Sequence, residues 1–332
     1  MRTSQALALA RTLPRGLLAP ASASASASAS GTTATGATCP GTASKTVPHK
    51  STALPPVRYH IFRTPLPYPQ GLDMQYRVIQ ERLQRRERGE SSAQDVMFLL
   101  EHTPTYTTGR RDNSPNPDTL HPEEEKVQDV GAGFYITKRG GQVTYHGPGQ
   151  IVGYPILDLT AMGTPTRCYV EYLQSLLREY AEDLGLDVAA PHEDGHVGVF
   201  RGRDEKLASI GIHLTHRITS HGFAMNVTPE PVPWFDLVTA CGLADVRAVS
   251  IAQLLERAGK PGPSVAECAA ALVPRFASTF GREFIPLDAP AEGETAGEVE
   301  AIKAIVADVT ALAEKAEKEA GGWPTRPRVK QQ

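Results

Sequence analysis

Arg139-Gly-Gly-Gln-Val-Thr-Tyr-His146-Gly-Pro-Gly-Gln150 is the stretch that says most about this chain. Four glycines and a proline in twelve residues would make a poor core, yet the runs Phe134–Lys138 and Ile151–Leu159 on either side read as strands. Glycine takes up positive φ and lets a backbone pass close to a ligand. The segment therefore reads as a loop shaped to hold something, with Arg139, Tyr145 and His146 placed to line it. A long structural hairpin is the plain alternative. Neither the phosphate-loop pattern G-x-x-x-x-G-K-[ST] nor the dinucleotide pattern G-x-G-x-x-G fits.

Outward from this loop, Leu72, Tyr76, Ile79 and Leu83 predict an amphipathic helix over 69–88, and Val96–Leu100 a buried strand. Val170, Leu173, Leu177, Tyr180 and Leu184 predict a second helix over 166–184. The segments 197–201, 207–214 and 222–228 read as three successive strands. Two capping boxes, Ser250 with Gln253 and Ser264 with Glu267, announce further helices. Apolar residues at 299, 302, 306 and 309 follow helical spacing in an Ala/Glu/Lys-rich tract, which reads as a surface helix or a short coiled-coil element. Helices interleaved with hairpin-like strands imply α+β or mixed α/β, and the lack of regular βαβ units argues against a dinucleotide-binding fold.

The chain has 332 residues, 37 acidic and 34 basic, for a formal net charge of −3. That figure hides an asymmetry: residues 1–72 hold no Asp or Glu but seven Lys or Arg, so the remaining 260 carry about −10. An acid-free, Arg-containing start followed by five Ala-Ser repeats has the composition of an organelle transit peptide. Residues 1–54 are read as leader, with the folded part beginning near Val57. The acidic remainder disfavours nucleic acid as a partner, no run is long and apolar enough to span a membrane, and four cysteines are too few for a disulfide framework. The expectation is a soluble, single-domain protein delivered to an organelle.

Among the cysteines, Cys39 falls in the leader, while Cys168 and Cys268 fall in amphipathic helices, where a cysteine is a small hydrophobe. Cys241 precedes Gly242 just after the Pro-rich stretch 228–233, a loop setting that leaves room for a substrate to approach the sulfur. A nucleophilic thiol needs a neighbour that favours thiolate, and His146, His213, His221 and Lys206 are the candidates by type. Lys206, just before the apolar run 207–212, could be desolvated enough to exchange a proton with a thiol. A solvated lysine in the charged turn 201–206 is the alternative. His192-Glu-Asp-Gly-His196 invites a metal reading, but histidines four apart converge only on a helix, and Gly195 argues against one. No metal and no cofactor are expected.

Taken in order, Arg139–Gln150, Lys206-Leu-Ala-Ser-Ile-Gly211, His221-Gly-Phe-Ala-Met-Asn226 and Ala240-Cys-Gly242 resemble the octanoyltransferases of lipoate biosynthesis, the lipoyl(octanoyl) transferases of the mitochondrial type. Glu101-His-Thr-Pro-Thr-Tyr-Thr-Thr-Gly-Arg110 is similar to that family's segment after its first core strand. The resemblance spans roughly residues 65–260. It implies an α/β fold with a mixed sheet flanked by helices, like that of biotin and lipoate protein ligases, over residues 55–286, with 287–332 a helical extension and tail. It also implies that an octanoyl group passes from acyl carrier protein to Cys241 as a thioester. From there it goes to a lysine of the lipoyl domains of 2-oxoacid dehydrogenases or of the glycine-cleavage H protein, in the mitochondrial matrix.

By position, the resemblance makes Lys206 the partner of the nucleophile. It makes Arg139, Gly140, Gly141, Gln142, Val143, Thr144, Tyr145, His146, Ser209, Ile210, Gly211, Gly222, Phe223 and Ala224 the substrate-contacting residues. Thiolate attack on a thioester is nearly thermoneutral and transfer to an amine is downhill, so positioning and charge stabilisation suffice without ATP. Arg110, Arg111, Lys138 and Arg139 are the expected basic patch for an acidic carrier. Two departures stand out: Ala240 replaces the proline usual before the family's cysteine, and Val197-Gly-Val-Phe200 replaces its usual Thr-Gly-Val-Trp. The rivals are a ligase on the same fold, which would need a nucleotide site and no reactive cysteine, and a non-catalytic acyl-chain- or lipoyl-domain-binding protein.

Overall fold

The computed structural model describes residue 39 and residues 54–90, 93–112, 120–238, 246–291 and 293–328. Cys241, with Ala240 and Gly242, lies outside the described residues. The elements in chain order are β1 (Val57–Ile61), α1 (Tyr68–Glu87), β2 (Val96–Leu100), β3 (Thr105–Thr108), α2 (Pro122–Lys126), β4 (Gly133–Ile136), β5 (Thr144–His146) and β6 (Gln150–Ile156). They continue with α3 (Thr166–Asp183), β7 (Val199–Arg201), β8 (Glu205–Thr215), β9 (Ile218–Asn226), α4 (Val232–Phe235), β10 (Arg247–Ala248), α5 (Ile251–Arg257), α6 (Val265–Phe280), β11 (Phe284–Pro286) and α7 (Ala296–Ala320).

Eight strands form a mixed sheet in the order β10-β8-β9-β6-β2-β1-β11, with β7 also paired to β8. The centre, β2-β6-β9-β8, is antiparallel, whereas β1 runs parallel to both β2 and β11. Strand β2 shows why the sheet is buried on both sides. Successive side chains of a strand point to opposite faces, so Val96, Phe98 and Leu100 go to one cluster and Met97 and Leu99 to the other. Helices α3 and α6 close the first face with Tyr169, Leu173, Leu177, Leu272 and Phe276. Helices α1 and α7 close the second with Met74, Val78, Val299, Ile302 and Val306. A separate three-stranded sheet, β4-β3-β5, packs with α4 around Tyr106, Tyr145 and Trp234. The fold is the mixed α/β architecture expected, and both capping boxes are present at the starts of α5 and α6.

Three expectations need correction. The 291–320 tract is no surface element: Val299, Ile302, Ile305, Val306, Val309 and Ala313 are all buried against α1 and the sheet. Its Glu298 is fully buried, accepts a hydrogen bond from the Gln94 amide at 3.0 Å, and lies 3.6 Å from Arg82, which pairs with Asp95 at 2.9 Å. The sequence spacing was right, but Glu298 at the start of the seam reads as solvent-facing unless its cation, 216 positions earlier in the chain, is known. Cys39, assigned to the leader, is disulfide-bonded to Cys168 and buried with it in the first cluster. Cys168 is therefore more than a small hydrophobe, and the body holds at least one residue ahead of position 54. Lys206 is the second residue of β8 rather than the end of a turn.

Among the described residues no helix is long and apolar enough to cross a membrane. If α7 belongs to the core, Ile302→Ala lowers unfolding free energy by about 2–5 kcal/mol in urea titration. A surface helix would change by no more than about 0.5 kcal/mol.

Candidate active site

The glycine loop is built around Arg139. Its guanidinium is buried: Nε and Nη2 donate to Thr107 Oγ1 at 3.2 and 2.8 Å, Nη2 also to the carbonyls of Thr107 and Gln142 at 2.6 and 2.9 Å, and Nη1 to Gly140 O at 3.0 Å. The side chain thus ties β3 to the loop that follows it in space. The Gly140 amide donates to Ile212 O at 2.9 Å, which lays the loop along β8. At Gly211 a Cβ would stand 2.7 Å from Gly140 O, so only glycine permits this approach. Gly141, with φ +92°, turns the chain back at the same place.

Between this loop, β8, β9 and β6 lies a cavity of about 180 Å³. Arg139, Gly141, Gln142, Thr144, His146, Lys206, Ser209, Ile210, Gly211, Gly222, Phe223 and Ala224 line it. Three residues expected to contact substrate do not line it. Gly140 is turned to β8; Val143 is buried, its amide donating to Asp112 Oδ2 at 3.1 Å; and Tyr145 points to the opposite face of β5, stacked on Trp234 at 5.1 Å between centroids. Alternation along β5 decides this, since Thr144 and His146 flank Tyr145 but face the cavity. Sequence reasoning missed Val152 and Tyr154, whose strand seemed merely structural, and placed His221 among thiolate partners only by residue type.

Burial disfavours the charged form of His102, His146 and His221 beside the cavity. His102 Nδ1 donates to Leu66 O at 2.8 Å, which leaves Nε2 to accept from the Tyr154 hydroxyl at 2.6 Å. His146 Nδ1 donates to Gln150 Oε1 at 2.8 Å, while Gln150 Nε2 donates to Tyr145 O at 3.1 Å and Asn226 Oδ1 at 2.9 Å. His146 Nε2 is therefore bare. Desolvation pushes His102 down to about 4 and His221 to about 3, the latter with help from the charge of Arg139. Desolvation, then His102 and Arg139, holds His146 well below the ordinary imidazole value. His221 is also strained: its φ is +55°, a left-handed conformation uncommon for a residue with a side chain. Its amide donates to Gln75 Oε1 at 2.6 Å, an anchor supplied by α1. His213 is outside the cavity lining, half-buried, and lowered first by desolvation and then by Arg110 and Lys138.

Lys206 stands on the wall with its Nζ 5.1 Å from the Phe200 ring centre. A smaller cavity shares Lys206, Ser209 and Ala224 with the first and reaches Phe235 and Val246. The chain leaves the described residues at Val238, three positions after Phe235, and returns at Val246, which lines this second cavity. At the outer rim Arg110, Arg111 and Lys138 are exposed. Arg139 does not belong with them; its burial beneath the loop removes it from the expected surface patch.

The His192-Glu-Asp-Gly-His196 string folds as a turn, with ligand-type atoms of His192, Glu193 and Asp194 within 4.8 Å of one another. However, His192 Nε2 donates to Arg203 O at 3.0 Å, Nδ1 accepts from the Asp194 amide at 3.2 Å, and Glu193 pairs with Arg203. The histidine is already committed within its own turn.

The sequence profile of the lipoyl protein ligase A/B catalytic domain matches residues 72–277. An octanoyltransferase of Gloeobacter violaceus is 37% identical over 222 residues, which cover 67% of this chain and 89% of that protein. A mitochondrial octanoyl-[acyl-carrier-protein]:protein N-octanoyltransferase of Danio rerio is 34% identical over 204 residues, 61% of this chain and 87% of that one. A mitochondrial octanoyltransferase of Arabidopsis thaliana is 35% identical over 184 residues, 55% of this chain and 73% of that one. In three dimensions, a lipoate-protein ligase A bound with ATP superposes with a TM-score of 0.51 at 14% identity, covering 80% of this chain and 99% of that one.

The buried histidines make a pH prediction. Each binds a proton near pH 6.5 when unfolded but only at lower pH when folded. Unfolding therefore takes up protons below about pH 6.5, and stability falls as the pH drops toward 4. Asparagine tolerates the left-handed conformation at position 221. In His221→Asn, the stability loss between pH 6.5 and 4.5 becomes shallower by up to about 1.4 kcal/mol per pH unit. Parallel urea-midpoint profiles for variant and wild type would show that His221 is not held neutral.

Proposed function

We propose that this chain, which belongs to the lipoyl protein ligase A/B catalytic domain family, is an octanoyltransferase that carries an octanoyl group from acyl carrier protein to a lysine of a lipoyl domain or H protein. The observation that carries the reading is Lys206, set on a β-strand in the wall that two cavities share, with Phe235 and Val246, which precede and follow Cys241 in the chain, lining the smaller one. The larger cavity suits an uncharged acyl chain: desolvation disfavours charge on His146 and His221, and Val152, Ile210, Phe223 and Ala224 supply apolar wall. Each buried CH₂ of such a chain contributes about 0.8 kcal/mol, enough to select for length.

The thiol of Cys241 gives its proton to Lys206 and attacks the thioester carbonyl of the donor. The carrier's sulfur leaves and takes that proton back from Lys206, so the first half-reaction ends with an octanoyl-Cys241 thioester and a neutral lysine. The amine of the acceptor lysine then attacks the same carbonyl. Lys206 receives the amine proton as general base and returns it to the departing sulfur of Cys241. No nucleotide enters the balance.

The rim cations Arg110, Arg111 and Lys138 are the docking candidates for an acidic carrier. Mitochondrial delivery rests on the acid-free leader and on the mitochondrial relatives of Danio rerio and Arabidopsis thaliana. The Cys39–Cys168 disulfide supports a targeting part that ends ahead of residue 39, shorter than the leader read over 1–54.

Incubation with octanoyl-acyl carrier protein alone, followed by intact mass analysis, yields one hydroxylamine-sensitive octanoyl adduct on Cys241. Cys241→Ser abolishes it, and Lys206→Ala slows its formation at least tenfold. Reversing Arg110 and Arg111 weakens carrier binding and flattens its salt dependence. An adduct that needs ATP would point to a ligase, and no adduct under either condition would sink the acyl-enzyme mechanism.

A further inference from the structure

The family match ends at residue 277, yet the chain continues through α7 into a described tail, Gly321–Arg328. Helix α7 runs antiparallel along α1, with Glu298 near Arg82 and Asp308 bonded to Arg77, so its C-terminal end arrives beside the start of α1. The tail then crosses to the small sheet. Trp234 Nε1 donates to Thr325 O at 3.3 Å, and the Arg328 amide donates to Val130 O at 2.9 Å. The Arg328 side chain lies over Gly131, where a Cβ would come within 3.5 Å of it. Pro324 and Pro327 fix φ on either side of Thr325, which lowers the entropy lost when the tail settles.

Trp234 is fully buried and stacks on Tyr145, 5.1 Å between centroids and 9° from parallel. Tyr145 is the middle residue of β5, whose outer two residues, Thr144 and His146, face the larger cavity. Contacts thus run without a gap from Thr325 through Trp234 and Tyr145 to the cavity wall. We propose that the C-terminal tail is a positioning element for acyl transfer: Thr325 and Arg328 hold Trp234 and the 127–131 loop, and through the Trp234–Tyr145 stack they fix β5 and the angle at which Thr144 and His146 meet the substrate. Neither Thr325 nor Trp234 touches the cavity, so both act through Tyr145. The proposal rests on the acyl-transfer reading for its kinetic consequence, but not for its structural one.

The test compares the full chain with a chain ending at Gly321, which keeps α7 and loses the tail. Hydrogen exchange by mass spectrometry is expected to show faster exchange in 133–146 on truncation, with 96–100 unchanged. Unchanged exchange in 133–146 overturns the proposal whatever the chemistry. In single turnover with octanoyl-acyl carrier protein, the truncated chain reaches the same acyl-enzyme amplitude at about one-tenth of the rate. A lower amplitude at an unchanged rate would mean a merely structural role and also overturns it. Trp234→Phe, which removes the donor and keeps a ring beside Tyr145, is expected to slow the full chain similarly, and truncation then adds nothing further. Additive losses would show that tail and stack act separately. If the full chain forms no acyl-enzyme while exchange in 133–146 responds as expected, the transferase reading fails and the positioning contact stands.

Discussion

A guanidinium beneath a glycine loop sets the geometry on which the rest of the site depends. Arg139 places its donors on Thr107 in β3 and on the carbonyls of Gly140 and Gln142, while the Gly140 amide reaches β8. The Arg139 side chain and the Gly140 amide together join the small sheet to the large one, and the cavity is the gap left at the joint. The same placement governs the titration of the neighbours. A cation this close, in a region already stripped of water, disfavours a second positive charge on His146 or His221. Arg139 thus both fixes the loop and adds to the desolvation that disfavours charge on His146 and His221.

Much of the scaffold was legible because its signals are local. The helices at 69–88 and 166–184, the alternation of β2 and the two capping boxes each depend on residues within a few positions of one another and appear where expected, although in the first helix Leu72 and Tyr76 are exposed and Met74 and Val78 take the buried face. Motif order put eleven of the fourteen expected contact residues on the cavity wall and left out others, Val152 and Tyr154 among them. What failed was non-local. Tyr145 reads like its neighbours until strand pairing sends alternate side chains to opposite faces. Arg139 reads as a surface cation until Thr107, 32 positions away, is seen to take its hydrogen bonds. Gln150 and Asn226 close motifs that looked like two separate signatures, yet they hydrogen-bond to each other and orient His146. The Cys39–Cys168 pairing, across 129 positions, carries no local signature at all.

The C-terminal extension illustrates the same limit in the energetics. An Ala/Glu/Lys-rich tract with its apolar residues in one seam can lie on a surface or seal a core, and composition does not distinguish the two. The decision belongs to the sheet. Val96, Phe98, Val152 and Ile156 present an apolar face that α1 does not cover alone, and α7 supplies the remainder. Burying Glu298 along with that seam is tolerable because Arg82 lies 3.6 Å away and the Gln94 amide donates to its carboxylate. Once α7 is docked, its end is delivered near the small sheet, and the tail can reach Trp234 without spanning solvent.

Charge then separates into two zones with different physical roles. The body of the chain carries about −10, yet no carboxylate appears among the described residues that line the larger cavity; its charged members are Arg111, Arg139 and Lys206. Arg139 is locked in place, Arg111 stands at the rim, and Lys206 occupies the junction with the second cavity. An acidic carrier would be repelled by most of this surface and attracted only at the rim, so its approach is oriented before contact. An acyl chain entering from that direction passes from charged rim to neutral wall. On the acyl-transfer reading, the proton transfers fall to Lys206, which neither anchors the loop nor stands at the rim. On that reading, confinement of this kind is what the arrangement of residues offers to a reaction already close to thermoneutral in its first half.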